Sequence, residues 1–334
     1  MATNSVATGV PDRGPALIGV LWPLAALSLV TAILRVIIRT RNRIFGWDDL
    51  FMIFAMLCLI AWSVSLTFYA LHGGLQHIED VQKSGLDNVS LVLFLKWLSQ
   101  VFGTLGVAAG KISVSALLLA IIKLSGMRWQ QIYLWSVTII LASLVAVSCS
   151  ILTFAQCTPA EALWDMRVKG YCIDPHIMSS YGTFTGSFNT FADASLAIIP
   201  ATIFWKLNSS PTEKMQLTIV FGLNILTSIC SGIKTKYLVE LSNRIDQTWA
   251  TYDIVVWVTA ELFLMIVCEF YKTKPQSLSR ERQQPNSHPG KMLSYRLLVI
   301  EVPKRGPPLN EELRWGTMRV LINSLTILTQ MIRG

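Results

Sequence analysis

Long apolar runs recur along the chain, separated by short stretches that hold most of its charge. Seven windows stand out: Ala16–Ile38, Leu50–Ala70, Trp97–Ile122, Ile132–Phe154, Tyr181–Trp205, Leu217–Ile233 and Ile254–Cys268. About 20 apolar residues cross the hydrocarbon of a bilayer. Within lipid only helices and closed barrels satisfy their own backbone, and unbroken runs of this length are not barrel strands. The pattern therefore predicts an all-α membrane protein, a seven-transmembrane helix bundle. The sixth and seventh windows are the shortest, because Lys234, Lys236, Asp253 and Glu261 crowd them. The organisation that follows is a short N-terminal segment (1–15), a helical domain (16–270) and a C-terminal tail (271–334).

Composition agrees with the pattern. Of 334 residues 52% are hydrophobic and 14% charged, where a soluble domain carries about 25% charged residues. The mean hydropathy is +0.50. Charge adds an orientation. Connections after odd-numbered windows hold Arg39, Arg41 and Arg43, then Lys123 and Arg128, then Lys206 and Lys214, and the tail opens with Lys272, Lys274, Arg280 and Arg282. The other side holds Arg13, Lys83, Lys96, Arg167, Lys169 and Arg244. The positive-inside rule then puts the N-terminus outside and the tail in the cytosol. The first dozen residues lack a cationic n-region, so a cleaved signal peptide is not expected, and the first window serves as the anchor. The net charge of +8 suits a cytosolic face lying on anionic lipid and gives no reason to invoke nucleic acid.

The six cysteines divide by depth. Cys58, Cys149, Cys230 and Cys268 fall in or at the ends of apolar windows, where free thiols are ordinary. Cys157 and Cys172 share the connection between the fourth and fifth windows, on the predicted outer side, where a disulfide is expected; two free thiols are the alternative. The sequon Asn88-Val89-Ser90 lies on the same side and is a glycosylation candidate. Asn208-Ser209-Ser210 should face the cytosol and stay unmodified.

Charges inside the windows carry the candidate chemistry. Lys111, Asp193 and Glu261 each fall near the middle of a window. Such charges are costly in a bilayer, face the bundle interior and pair with one another. Asn189 precedes Asp193 by one helical turn and shares its face, and Gln100 lies about three turns before Lys111. Two readings are open: a polar centre that binds a ligand, moves a proton or does acid–base chemistry, or an ion-pair network that fixes helix packing. Asp48 and Asp49 suit the start of the second helix as caps, or as partners of Arg39 or Arg43. Gly103, Gly106 and Gly110 form a small-residue stripe suited to close helix packing. His72 and His77 with Glu79 read as solvated loop residues in preference to a metal site. No cofactor or metal motif is present in the sequence.

A family resemblance rests on a set of motifs. These are Arg39-Thr-Arg-Asn-Arg-Ile-Phe-Gly-Trp-Asp-Asp49, then Lys111-Ile-Ser113, Gln156-Cys157-Thr-Pro159 with Trp164 and Cys172, then Asn189, Asp193, Pro200, Trp205 and Leu207, and finally Trp257 and Glu261. Over about residues 15 to 270 the chain resembles the fungal rhodopsin-domain family of integral membrane proteins, similar to satratoxin-cluster members and to fungal receptor-like seven-helix proteins. The resemblance implies a multi-pass protein of the plasma membrane or an endomembrane. It implies a receptor-like role in sensing a small molecule with a cytosolic signalling partner, or an enzyme or accessory role in a secondary-metabolite cluster. A transporter is a weaker reading, since no inverted repeat or broken helix pair is visible. Retinal is not expected: rhodopsins hold it on a seventh-helix lysine, and Tyr252 to Cys268 contains none. The tail departs from the family pattern; 277–308 reads as disordered and Met318–Ile332 as a short interfacial helix.

Overall fold

The computed structural model describes residues 13–41, 43, 46–76, 85–125, 128–206, 211–241 and 247–271. These belong to one unit, Met1–Lys274; the second unit, Pro275–Gly334, lies outside the described residues, and so do the tail expectations, His77, Glu79 and the Asn208 sequon. The order is α1 (Gly14–Arg41), α2 (Trp47–Leu71), α3 (Leu86–Ser125), α4 (Arg128–Ala155), β1 (Cys157–Thr158), β2 (Tyr171–Cys172), α5 (Pro175–Lys206), α6 (Pro211–Leu241) and α7 (Gln247–Tyr271). A 3-10 turn, Ala160–Leu163, lies between the two strands.

Six of these helices are long and apolar enough to cross a membrane: α1, α2, α4, Leu86–Ala116 of α3, Thr218–Val239 of α6 and Thr251–Glu269 of α7. The exception is α5, whose sequence is interrupted by Ser, Thr, Gly, Asn and Asp. Its polar side chains have inward uses: Asn189 and Asp193 reach partners on other helices. Hydropathy averaged along a helix does not register that sidedness.

Several boundaries differ from the sequence expectation. The third helix begins at Leu86, eleven residues before Trp97, so Lys96 lies inside a span and not in a loop. The sixth reaches Leu241, which places Lys234 and Lys236 on the helix rather than past its end. In both cases a charged residue ended the apolar window, although buried partners or a cavity accommodate it.

The molecule is inverted relative to a soluble protein. Arg35, Lys111, Asp193 and Glu261 are buried, whereas Val30, Ile33, Leu57, Phe68, Leu144, Ile151, Phe184 and Ile198 are exposed. An apolar exterior over a charged interior is the arrangement lipid demands. At the centre lies α7, with 83% of its most apolar window buried against 22–50% for the other five spans. Its Leu262, Met265 and Ile266 join α1 and α2 residues such as Leu21, Leu59 and Trp62 in the main apolar cluster.

The glycine stripe of α3 sets its distance from α2 and α7. A Cβ at Gly103 would come within 2.6 Å of the Trp62 ring, one at Gly106 within 3.1 Å of Cys58 Cβ, and one at Gly110 within 2.8 Å of Met265 Sδ. Helix α4 winds as a π-helix over Leu134–Leu141. There Thr138 accepts from Ser115 of α3 at 2.9 Å, and Tyr133 bonds Ser195 of α5 at 2.8 Å.

Candidate functional site

The intramembrane charges predicted from sequence meet in one centre. Lys111 Nζ lies 2.8 Å from Asp193 Oδ1 and 3.9 Å from Glu261 Oε1. It also donates to Asn189 Oδ1 at 2.6 Å and to the Asn189 carbonyl at 2.8 Å. Asn189 in turn donates through Nδ2 to Glu261 Oε1 at 3.0 Å and to Ser231 Oγ at 2.9 Å. A member not singled out from the sequence completes the set: Lys234 of α6 forms an ion pair with Glu261 Oε2. Two ammonium groups face two carboxylates, so the centre is neutral as a whole. That balance is what makes four charges tolerable at this depth, because an unpaired ion away from water carries a desolvation penalty of several kcal/mol.

The centre is deeply buried and closely held. Lys111 is 1%, Asp193 2% and Glu261 0% exposed. Helical spacing aligns the contributors: Asn189 and Asp193 stand one turn apart on α5, as do Ser231 and Thr235 of α6, whose hydroxyls both bond Thr190. One acceptor is left over. Asp193 Oδ2 is buried without a hydrogen-bond partner among the described residues. Chemically, the arrangement can receive a polar group or pass a proton between carboxylates held by two ammonium groups.

A cavity of about 240 Å³ adjoins the centre and is walled by α2, α3, α4, α5, α6 and α7. Its wall is chiefly apolar, with Trp62, Val107 and Phe188, and it includes Asn189 and Lys234 of the charged centre. Gln100, singled out for sharing a face with Lys111, lines the cavity.

A second buried cluster occupies the α1–α2–α7 side. Arg35, 0% exposed, reaches Asp49 at 3.1 Å, Asp48 at 3.0 Å and Glu269 at 2.9 Å. Arg39 pairs with Asp49 at 2.7 Å and also with Asp48. Ser113 of α3 donates to the Asp48 carbonyl at 2.7 Å. Asp49 also accepts from the Gly46 N–H at 3.0 Å, so it caps α2 and binds arginine at once. Capping and pairing, weighed as alternatives, coexist. Arg35 and Glu269 were not legible as buried charges, since each sits near a span end among other charged residues.

The connection between α4 and α5 is braced. Cys157 and Cys172 form a disulfide across the β1–β2 pair. Trp164 packs edge-on against Phe94 and Phe154, with centroids 5.4 and 6.3 Å away. Arg167 ties the loop to the start of α3 through Asp87 at 2.7 Å and holds the Asp165 carboxyl below its ordinary range by hydrogen bonding. Asn88 stands in the first turn of α3, half-buried, its Nδ2 donating to the His72 carbonyl at 3.1 Å; Ser90 of the sequon donates to the Trp164 carbonyl at 3.1 Å. The His72 ring donates through Nδ1 to the Phe68 carbonyl at 2.8 Å.

Residues 34–273 match the family model described as the fungal rhodopsin domain. The chain belongs to the fungal rhodopsin domain family. It is accordingly a multi-pass membrane protein in a lipid bilayer. Among relatives of this fungal rhodopsin domain protein, "Fugralins biosynthesis cluster protein 2" of Gibberella zeae is 28% identical over 43% of this chain and 36% of that protein. "Wortmanamides biosynthesis cluster protein C" of Talaromyces wortmannii is 24% identical over 72% of this chain and 64% of its own. A "SAT4 family membrane protein" of Emericella nidulans is 25% identical over 40% and 35%. The matches thus span between about a third and two thirds of these relatives' lengths. No solved structure matches. Within the fungal rhodopsin domain, α7 carries no lysine; Glu261 occupies its middle.

Proposed function

We propose that the protein binds a small molecule in the bundle cavity and serves a secondary-metabolite pathway as a membrane-embedded enzyme or accessory protein. The observation that carries this reading is the sharing of wall and centre. Asn189 and Lys234 belong both to the cavity and to the buried charged network, so a ligand in the cavity touches that network directly. Concave, mostly apolar sites with a few convergent polar groups are where small molecules bind. The pathway half draws on two relatives whose names place them in biosynthesis clusters. A second reading, a receptor for a small molecule with a cytosolic partner, draws on the same cavity together with the disulfide-braced loop.

The proposal includes seven crossings with the N-terminus and the disulfide loop on the outer side. At 32 residues α5 is about 48 Å long, more than a bilayer core requires. Arg13 pairs with Asp253 at the starts of α1 and α7, and Asp87 with Arg167 at the start of α3, as alternating crossings require. An oxidising side suits the Cys157–Cys172 bond.

The test is deletion of the gene and complementation with wild type, Asp193→Asn, Glu261→Gln and the cavity-filling Thr104→Trp, followed by metabolite profiling. Thr104 lines the cavity and bonds only its own helix among the described residues, so its replacement leaves the ion pairs intact. Wild type should restore the lost product, and variants present in the membrane at wild-type amounts should instead leave one precursor. Variants that reach the membrane and restore the whole profile would refute the proposal. A fall in transcripts of every pathway gene upon deletion would favour the receptor.

A further inference from the structure

One face of α3 runs the length of the cavity. Lys96, Ser99, Gln100, Gly103, Thr104, Val107 and Ala108 recur at helical spacing and all line it. Lys111 follows one turn later in the charged centre, fifteen residues and about 22 Å from Lys96 along the helix. The two ends differ. Lys111 is matched by Asp193 and Glu261, whereas Lys96 has no carboxylate partner among the described residues. Its ammonium lies 5.6 Å from the Trp97 ring centroid, a contact that offsets a desolvated charge only in part.

The wall charges are one-sided. Among the described residues Lys96 and Lys234 line the cavity, and no Asp or Glu does. Lys234 is neutralised from behind by Glu261, so the excess positive charge belongs to Lys96. The same wall offers Trp62, Leu66, Tyr69 and Val255, with Ser99 and Gln100 within four residues of Lys96 on α3. An unmatched, partly buried ammonium in a largely apolar site is costly until an anion joins it.

We infer that the cavity takes an apolar molecule bearing a single carboxylate, with the carboxylate on Lys96 and the apolar body running along α3 toward Asn189. The inference rests on the proposal that the cavity binds a small molecule, and it names that molecule's chemical class. Two sources share this chemistry: a fatty acid from the bilayer and an aromatic or polyketide-like acid. The largely apolar wall, with Trp62, Tyr69 and Phe188, accepts either.

The experiment uses the full chain in nanodiscs, with radiolabelled palmitic acid and radiolabelled 2-naphthylacetic acid as probes and the primary amide of each as competitor. Acid should displace the bound label at concentrations at least tenfold below its amide. Lys96→Met and Lys96→Gln should weaken acid binding tenfold or more and leave amide binding unchanged, and Lys96→Arg should retain the preference for acid. These substitutions break no ion pair seen among the described residues, so the folded protein remains available for measurement. Equal binding of acid and amide, or an unchanged acid affinity in Lys96→Met, overturns the assignment of an anionic ligand while leaving a binding cavity. Binding of neither acid nor amide overturns both that assignment and the proposal beneath it. Whichever acid binds more tightly identifies the source.

Discussion

Cutting the Lys111–Asp193 pair from either side tests whether the buried centre is held by charge balance. Lys111→Met leaves Asp193 without its ammonium, 2% exposed and with one oxygen already unpartnered. Removing one member of a buried pair typically costs about 3–5 kcal/mol. Asp193→Leu leaves Lys111 with Asn189 and with Glu261 at 3.9 Å, so its cost belongs at the lower end of that range. The double variant Lys111→Met/Asp193→Leu returns the centre to neutrality, with Lys234 still on Glu261. It loses the two hydrogen bonds to Asn189, at about 1 kcal/mol each, and should fall about 2 kcal/mol below wild type, far less than the sum of the two single losses. For a domain of this size about 2–4 °C of melting temperature corresponds to 1 kcal/mol. Each single variant should therefore melt on the order of 10 °C low, and the double variant should melt no lower than either single variant and well above the sum of their losses. Thermal ramps of purified protein followed by size-exclusion chromatography read the three shifts. Strictly additive losses, within about 0.5 kcal/mol, would refute the coupling and with it the claim that neutrality sustains the centre.

Two further outcomes follow from packing and covalent structure. Cys157→Ser should expose Cys172 to alkylation without reductant and lower stability by about 3 kcal/mol, the loop entropy of the separation of 15 residues; labelling of both cysteines in unreduced wild type contradicts the bond. Gly103→Ala brings a methyl within 2.6 Å of the Trp62 ring and should cost about 1–3 kcal/mol, whereas Gly19→Ala, with nothing within 4 Å, should be silent or slightly stabilising in the same melting assay.

Much of the fold was legible because lipid punishes ambiguity: every apolar window became a helix. The centre was legible too, since Lys111, Asp193, Glu261 and Asn189 are expensive residues in cheap surroundings, and the fold brings all four together. The charges that hydropathy hides share one physical cause. Lys234, Arg35, Lys96 and Glu269 lie near the ends of apolar windows, where a charge looks like a boundary marker. Each is a helical residue, with ion pairs holding Lys234, Arg35 and Glu269 and a cavity receiving Lys96. The polar face of α5 misleads in the opposite sense, lowering its hydropathy through residues that the bundle buries. The π-helical turn of α4 has no sequence signal that apolar periodicity could reveal.

The two buried charge clusters separate structure from function by what each leaves open. Around Arg35, every carboxylate faces a guanidinium, one aspartate caps a helix, and none of the five charged residues lines the cavity. Such a cluster has nothing to offer a ligand; it clamps α1, α2 and α7. Around Lys111 the charges balance, two ammonium groups against two carboxylates, and two members of the network, Asn189 and Lys234, face a cavity. Both clusters use α7, through Glu261 and Glu269, eight residues and so about 12 Å apart along the helix. The first turns of α7 supply Thr251, Ile254, Val255 and Val258 to the cavity wall. A single helix thus carries wall, centre and clamp in sequence. That order explains why α7 is the most deeply buried span in a protein whose apolar surface is otherwise turned toward lipid.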